Sequence, residues 1–129
     1  MMKIQRVEEG FETELNTGTL KIGATEDAVR PGRLMLASIA SCSASVFNKI
    51  LKKQRIEIED LEVEAEIVKR IPEEANRIEK IHLHFKVKGS GLNEDKLKRN
   101  LGLSRKNCPM AVTVEGRVEI EDTLEIIES

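Results

Sequence analysis

The chain has no tryptophan, no tyrosine and three phenylalanines in 129 residues. Without rings to stack on, a single-stranded nucleic acid finds no platform. An excess of positive charge is missing too: 21 Lys and Arg stand against 23 Asp and Glu, for a net charge of −2. Nucleic acid is therefore excluded as the main partner. Repeats and low-complexity tracts are absent, which leaves one domain over 1–129 around one main core. The longest uncharged run, Leu34 to Asn48, contains four serines and an asparagine. It is too short and too polar to span about 30 Å of hydrocarbon, so no membrane partner is expected. Met1 to Gly10 alternates apolar and charged residues and lacks the apolar core of a signal peptide. Cysteine is scarce as well. Two residues, Cys42 and Cys108, do not make the disulfide framework of a secreted domain. A cytoplasmic location with reduced thiols is the expectation.

What is present alternates between two periods. Ile4 to Glu8, Phe11 to Leu15 and Thr19 to Ile22 read as short strands, the last two joined by the Asn16-Thr17-Gly18 turn. Gly23 to Arg30 reads as a loop. Pro31 opens a helix, since its missing N–H would have no partner there. Leu34, Leu36, Ile39, Val46, Phe47, Ile50 and Leu51 then cover most of that helix's circumference, which calls for burial on several sides. One chain of this size cannot supply that cover, so a second copy is expected against it. Leu61, Val63, Ala65 and Ile67 alternate with glutamates, and Ile81, Leu83, Phe85 and Val87 with His82, His84, Lys86 and Lys88. Paired antiparallel through Pro72 to Asn76, these strands set acid opposite base. Asn93 caps a helix buried through Leu97 and Leu101, and Arg117 to Ile127 returns to strand alternation. Strands, long helix, strands, helix, strand make an α+β chain.

Four groups of residues invite a chemical reading. Gly89-Ser90-Gly91 lies between a strand and a helix, but a dinucleotide fingerprint needs a glycine where Glu94 stands, so it is a turn. His82 and His84 share a strand face without a Cys or third His at ligand spacing, and read as solvent-facing polar residues rather than a metal site. The carboxylates fall on strand faces and helix starts, with none set alone among apolar residues where its pKa would rise. The cysteines differ. Cys42 sits mid-helix among Ala40, Ser41, Ser43 and Ala44, which leave space beside the sulfur. Cys108 precedes Pro109, a helix-starting arrangement whose backbone N–H groups stabilise a thiolate, with Lys106 and Asn107 adding polarity.

Arg30-Pro31-Gly32-Arg33-Leu34 running to Ala37-Ser38-Ile39-Ala40-Ser41-Cys42 resembles the Pro-Glu-Glu-Leu…Ala-x-x-x-Cys helix start of the osmotically inducible protein C / organic hydroperoxide resistance family (OsmC/Ohr). Asn107-Cys108-Pro109-Met110, followed by a short helix and a last strand, is similar to that family's second cysteine motif. The resemblance implies a two-layer α+β fold, with antiparallel sheets and a long central helix, working as an intertwined homodimer. It implies thiol-dependent reduction of organic hydroperoxides in oxidative-stress defence. Cys42 would be the peroxidatic thiol, Cys108 the resolving one, and a small or protein dithiol the reductant; no metal or other cofactor is needed. Gly32 stands where the family has a glutamate, and Thr13 to Val29 holds Lys21 but no arginine. Arg33, nine residues before Cys42, projects from the opposite side of the helix about 13 Å away along its axis, while Arg30 lies in the preceding loop. These departures suggest a divergent branch and a second expectation, a non-peroxidatic dimer acting as redox sensor or small-molecule binder.

Overall fold

The computed structural model describes all 129 residues, and they divide into two units, 1–35 and 36–129. The first unit is an antiparallel sheet of β1 (Gln5–Val7), β2 (Gly10–Leu15) and β3 (Gly18–Gly23) in that order, as the alternation predicts. The β2–β3 hairpin closes on the Leu15↔Gly18 pair, with Gly18 at φ 131°, a conformation closed to other residues. Asp27 of the loop that follows pairs with Lys21 of β3 at 2.9 Å, both exposed.

Helix α1 (Pro31–Lys53) begins at the end of this unit and passes most of its length into the second. Pro31 stands at its start, and Lys52 and Lys53 lie in its last turn, where cations suit the helix dipole. The buried residues are Leu36, Ile39, Ala40, Ser43, Phe47 and Leu51, a single stripe of helical period. Leu34, Met35, Val46 and Ile50 remain half-buried, so the chain alone covers one side of the helix. By length and composition α1 is apolar enough to cross a membrane. Its wholly buried Ile39 and Phe47, and the edge-to-face contact of Phe47 with Phe85 at 5.5 Å, are those of a core helix.

The second unit adds a sheet in the order β4 (Asp60–Ile71), β5 (Arg77–Gly89), β6 (Glu119–Glu128). The β4–β5 register pairs Leu61 with Val87, Val63 with Phe85, Ala65 with Leu83 and Ile67 with Ile81. On the other face Glu62 meets Lys86, Glu64 meets His84 and Glu66 meets His82, the expected acid–base ladder. Ile81, Leu83, Phe85 and Val87 are fully buried, whereas the facing residues of edge strand β4 are half-exposed. Between β5 and β6 run α2 (Glu94–Asn107), capped by Asn93 Oδ1 on the Lys96 N–H at 3.0 Å, and the short α3 (Pro109–Thr113). That crossover has a consequence for strand direction. The expectation of antiparallel sheets holds for β1–β2–β3 and for β4–β5, but β6 pairs parallel to β5, because a helical connection returns the chain to the end at which β5 began.

Candidate functional site

Cys42 is placed by the middle of α1 and is half-buried; Ser43 beside it is 3% exposed. Cys108 is placed by a joint. It ends α2 and caps α3, with extended backbone (φ −88°, ψ 110°) and Pro109 as the first residue of α3. Its Sγ accepts the Ala111 N–H at 3.4 Å, the contact foreseen from the Cys-Pro order. The two thiols, distant in sequence, come close enough for Cys42 to act on the electrostatics of Cys108, and both are covalently unpaired.

The electrostatics of Cys108 correct the sequence expectation. Burial is the largest influence and pushes the thiol above its ordinary value of 9.0; the Ala111 N–H pulls it down, Cys42 pushes it up, and the Met110 N–H adds a smaller downward pull. Backbone donors are present, as a proline-started turn predicts, but desolvation of a fully buried sulfur outweighs them. The influences that shift this thiol are burial, two backbone donors and Cys42, with no cation among them. Asn107 turns away to donate to the Leu103 carbonyl at 2.8 Å. Arg30 and Arg33 are exposed, and the first turn of α1 has no acidic residue, so Gly32 leaves that position without a carboxylate.

Two residues beside the pair were missed from sequence. Ser104, wholly buried on α2, donates its Oγ–H to the Ser43 carbonyl of α1 at 2.7 Å. Asn100, one turn earlier, exchanges two amide hydrogen bonds with Gln54 at 3.0 and 2.9 Å. Both lie on the stripe that Leu97 and Leu101 define, so polar residues at apolar-stripe positions were the available signal.

A profile for the family described as OsmC-like protein matches residues 24–122. The chain belongs to the OsmC-like family. Protein YhfA of Escherichia coli (strain K12) is 34% identical over 104 residues, covering 79% of this chain and 76% of that one. A hypothetical protein from Aquifex aeolicus VF5 superposes with a TM-score of 0.87 at 24% identity, covering all of this chain and 96% of the other. An organic hydroperoxide resistance protein OsmC from Legionella pneumophila gives 0.75 at 21%, covering 97% and 95%. These structural likenesses establish the α+β OsmC-like fold.

This OsmC-like chain also carries a carboxylate that the sequence reading did not foresee. Asp122 pairs with Leu83 across β6 and β5 and so lies on the core face. Arg105 of α2 donates to its Oδ2 through Nε (2.9 Å) and Nη2 (2.7 Å), while the buried Oδ1 has no partner. Burial raises its pKa above the usual 3.8, with Arg105 pulling the other way. A carboxyl raised by folding contributes stability that is complete below the unfolded value and is lost as pH rises through the folded one. Asp122→Asn is therefore expected to gain stability over the parent as pH rises past 3.8, by an amount constant at neutral pH. Urea midpoints of both chains across that range check it; a gap that narrows with rising pH contradicts it.

On the opposite face of the sheet, His82 Nε2 and His84 Nδ1 both contact Thr123 Oγ1, at 2.7 and 2.6 Å. His84 Nε2 reaches Glu125 at 3.0 Å, an acceptor when ionised. With both rings neutral, His84 donates to Glu125 and takes the single hydroxyl proton of Thr123, which in turn accepts from His82. The imidazoles are thus engaged in a directed hydrogen-bond chain. No group of three His, Cys, Asp or Glu is arranged to hold a metal.

Proposed function

We propose that the protein is a thiol peroxidase that reduces organic hydroperoxides through Cys42 and Cys108. One observation carries the reading: a half-buried thiol lies near enough to a fully shielded one to act on its electrostatics. An incoming hydroperoxide meets Cys42 first, and Cys108 waits beside it. Membership of a family with organic hydroperoxide resistance proteins among its structural neighbours supports a role in oxidative-stress defence. The Cys42 thiolate attacks the terminal peroxide oxygen, the O–O bond breaks, and the alkoxide leaves and takes up a proton as alcohol. Cys42 is left as sulfenic acid. Cys108, losing its proton, attacks that sulfur; the S–O bond breaks, water leaves and a disulfide forms. A dithiol, small or protein-borne, then reduces the disulfide and becomes a disulfide itself. None of these steps calls for a metal or organic cofactor.

The working form is a homodimer. The half-exposed apolar residues of β4 and the half-buried Leu34, Val46 and Ile50 of α1 support this, since a second copy would cover them. We place the protein in the cytoplasm, where dithiol reductants keep the pair reduced.

Titration with cumene hydroperoxide tests the reading. One equivalent should remove both free thiols of each chain and leave an intramolecular disulfide visible by mass, and excess dithiol should restore the thiols through repeated turnover. Thiols that persist through several equivalents would overturn it. Gly32 in the position of the family's glutamate favours a second reading, a redox sensor. There the disulfide forms under mild peroxide, but no dithiol supports turnover.

A further inference from the structure

We infer that Ser104 is a positioning residue, which holds Cys108 at bonding distance from Cys42 by fastening α2 to α1. The inference rests on the reading of the two cysteines as a redox pair, and adds what sets the gap between them. Asn100, Ser104 and Cys108 recur at intervals of four, so they follow one stripe of α2 to its end. Asn100 hydrogen-bonds Gln54 just beyond α1 and Ser104 hydrogen-bonds the Ser43 carbonyl of α1, while Cys108 comes near enough to Cys42 to feel it electrostatically. Apolar contacts tolerate sliding, whereas these contacts are directional. A shift of α2 along α1 would leave a wholly buried hydroxyl without its acceptor, which makes the register discrete.

Of the three, Ser104 is closest to the chemistry. Its acceptor is the carbonyl of the residue after Cys42, and its own position is one turn before Cys108. The bond therefore ties both cysteine backbones through one short link. A carbonyl oxygen has two lone pairs, so Ser43 can serve Ser104 without surrendering its helical bond. Ser104 touches neither sulfur in a reacting sense; it acts through the helices that carry them.

The measurement is the thiol–disulfide equilibrium of the full chain with glutathione. Two thiols and one oxidised glutathione give the Cys42–Cys108 disulfide and two reduced glutathiones, and the equilibrium constant is the effective concentration of one thiol at the other. Ser104→Ala is expected to lower it about fivefold, the weight of one hydrogen bond. Asn93→Ala removes the cap at the far end of α2, where Asn93 accepts the Lys96 N–H, and should leave it unchanged. A Ser104→Ala value within about twofold of the parent overturns the inference while leaving the thiol reading standing. An equal fall in Asn93→Ala also overturns it, since any loosening of α2 would then suffice. A parent chain that forms no disulfide with glutathione removes the redox pair, and the inference with it.

Discussion

With Cys42 replaced by serine, consumption of cumene hydroperoxide is expected to fall to the rate of buffer alone. A serine hydroxyl stays protonated at neutral pH and has no electron pair of comparable reactivity toward a peroxide oxygen. The remaining thiol, Cys108, does not take over, because its sulfur is fully buried and that burial keeps it protonated above the ordinary thiol range. Cys108→Ser should behave differently. The first equivalent of peroxide disappears at close to the parent rate, no intramolecular disulfide follows, and Cys42 sulfenic acid persists long enough to be trapped by dimedone. Under excess peroxide it advances to sulfinic acid, which a dithiol does not reverse. Stopped-flow peroxide consumption combined with intact-mass measurement separates the two variants. Full activity in Cys42→Ser would assign the chemistry elsewhere.

Truncating either ring of the Phe47–Phe85 pair should cost about 3–5 kcal/mol. Both side chains are fully buried, and with three phenylalanines and no Trp or Tyr the chain has nothing equivalent to close over the space. Against a typical total of about 5–15 kcal/mol, this is enough to leave a marginal fold. The rings meet at 5.5 Å and 66°, an edge-to-face geometry that adds roughly 0.5–1.5 kcal/mol beyond area burial. Phe47→Ala and Phe85→Ala together should therefore cost less than the sum of the single losses, as the pair term is lost once. Urea denaturation at one fixed protein concentration measures all three chains. A loss under about 1 kcal/mol in both single variants would mean that α1 and the sheet are held by other contacts.

Much of this architecture was legible because its patterns are local. Strict alternation in Leu61 to Ile67 and Ile81 to Val87 fixes which side chains face the core, and the β4–β5 register follows from it. Pro31, Asn93 and Cys108-Pro109 mark helix starts by chemistry confined to a few residues. The paired cysteine contexts were legible in the same way. Properties that depend on the third dimension were not. The N–H donors at Cys108 follow from sequence, but the desolvation that outweighs them follows from what packs around the sulfur. Asp122 occupies the slot between Ile120 and Leu124 where alternation asks for an apolar residue, and only the pairing with Leu83 and the reach of Arg105 explain it. The parallel course of β6 likewise depends on the path taken by α2 and α3 rather than on any residue within β6.

The nearness of residues 42 and 108 also has a topological side. Oxidation there closes the chain into a covalent ring that contains the end of α1, all of β4 and β5, and α2. A ring of that length removes many of the conformations open to the unfolded polymer, by a chain-entropy account worth roughly 4 kcal/mol. Reduced and oxidised protein are thus two polymers of different connectivity sharing one native fold. On the proposed chemistry, the oxidised chain would resist unfolding more than the reduced one, and a dithiol that opens the ring would remove the difference.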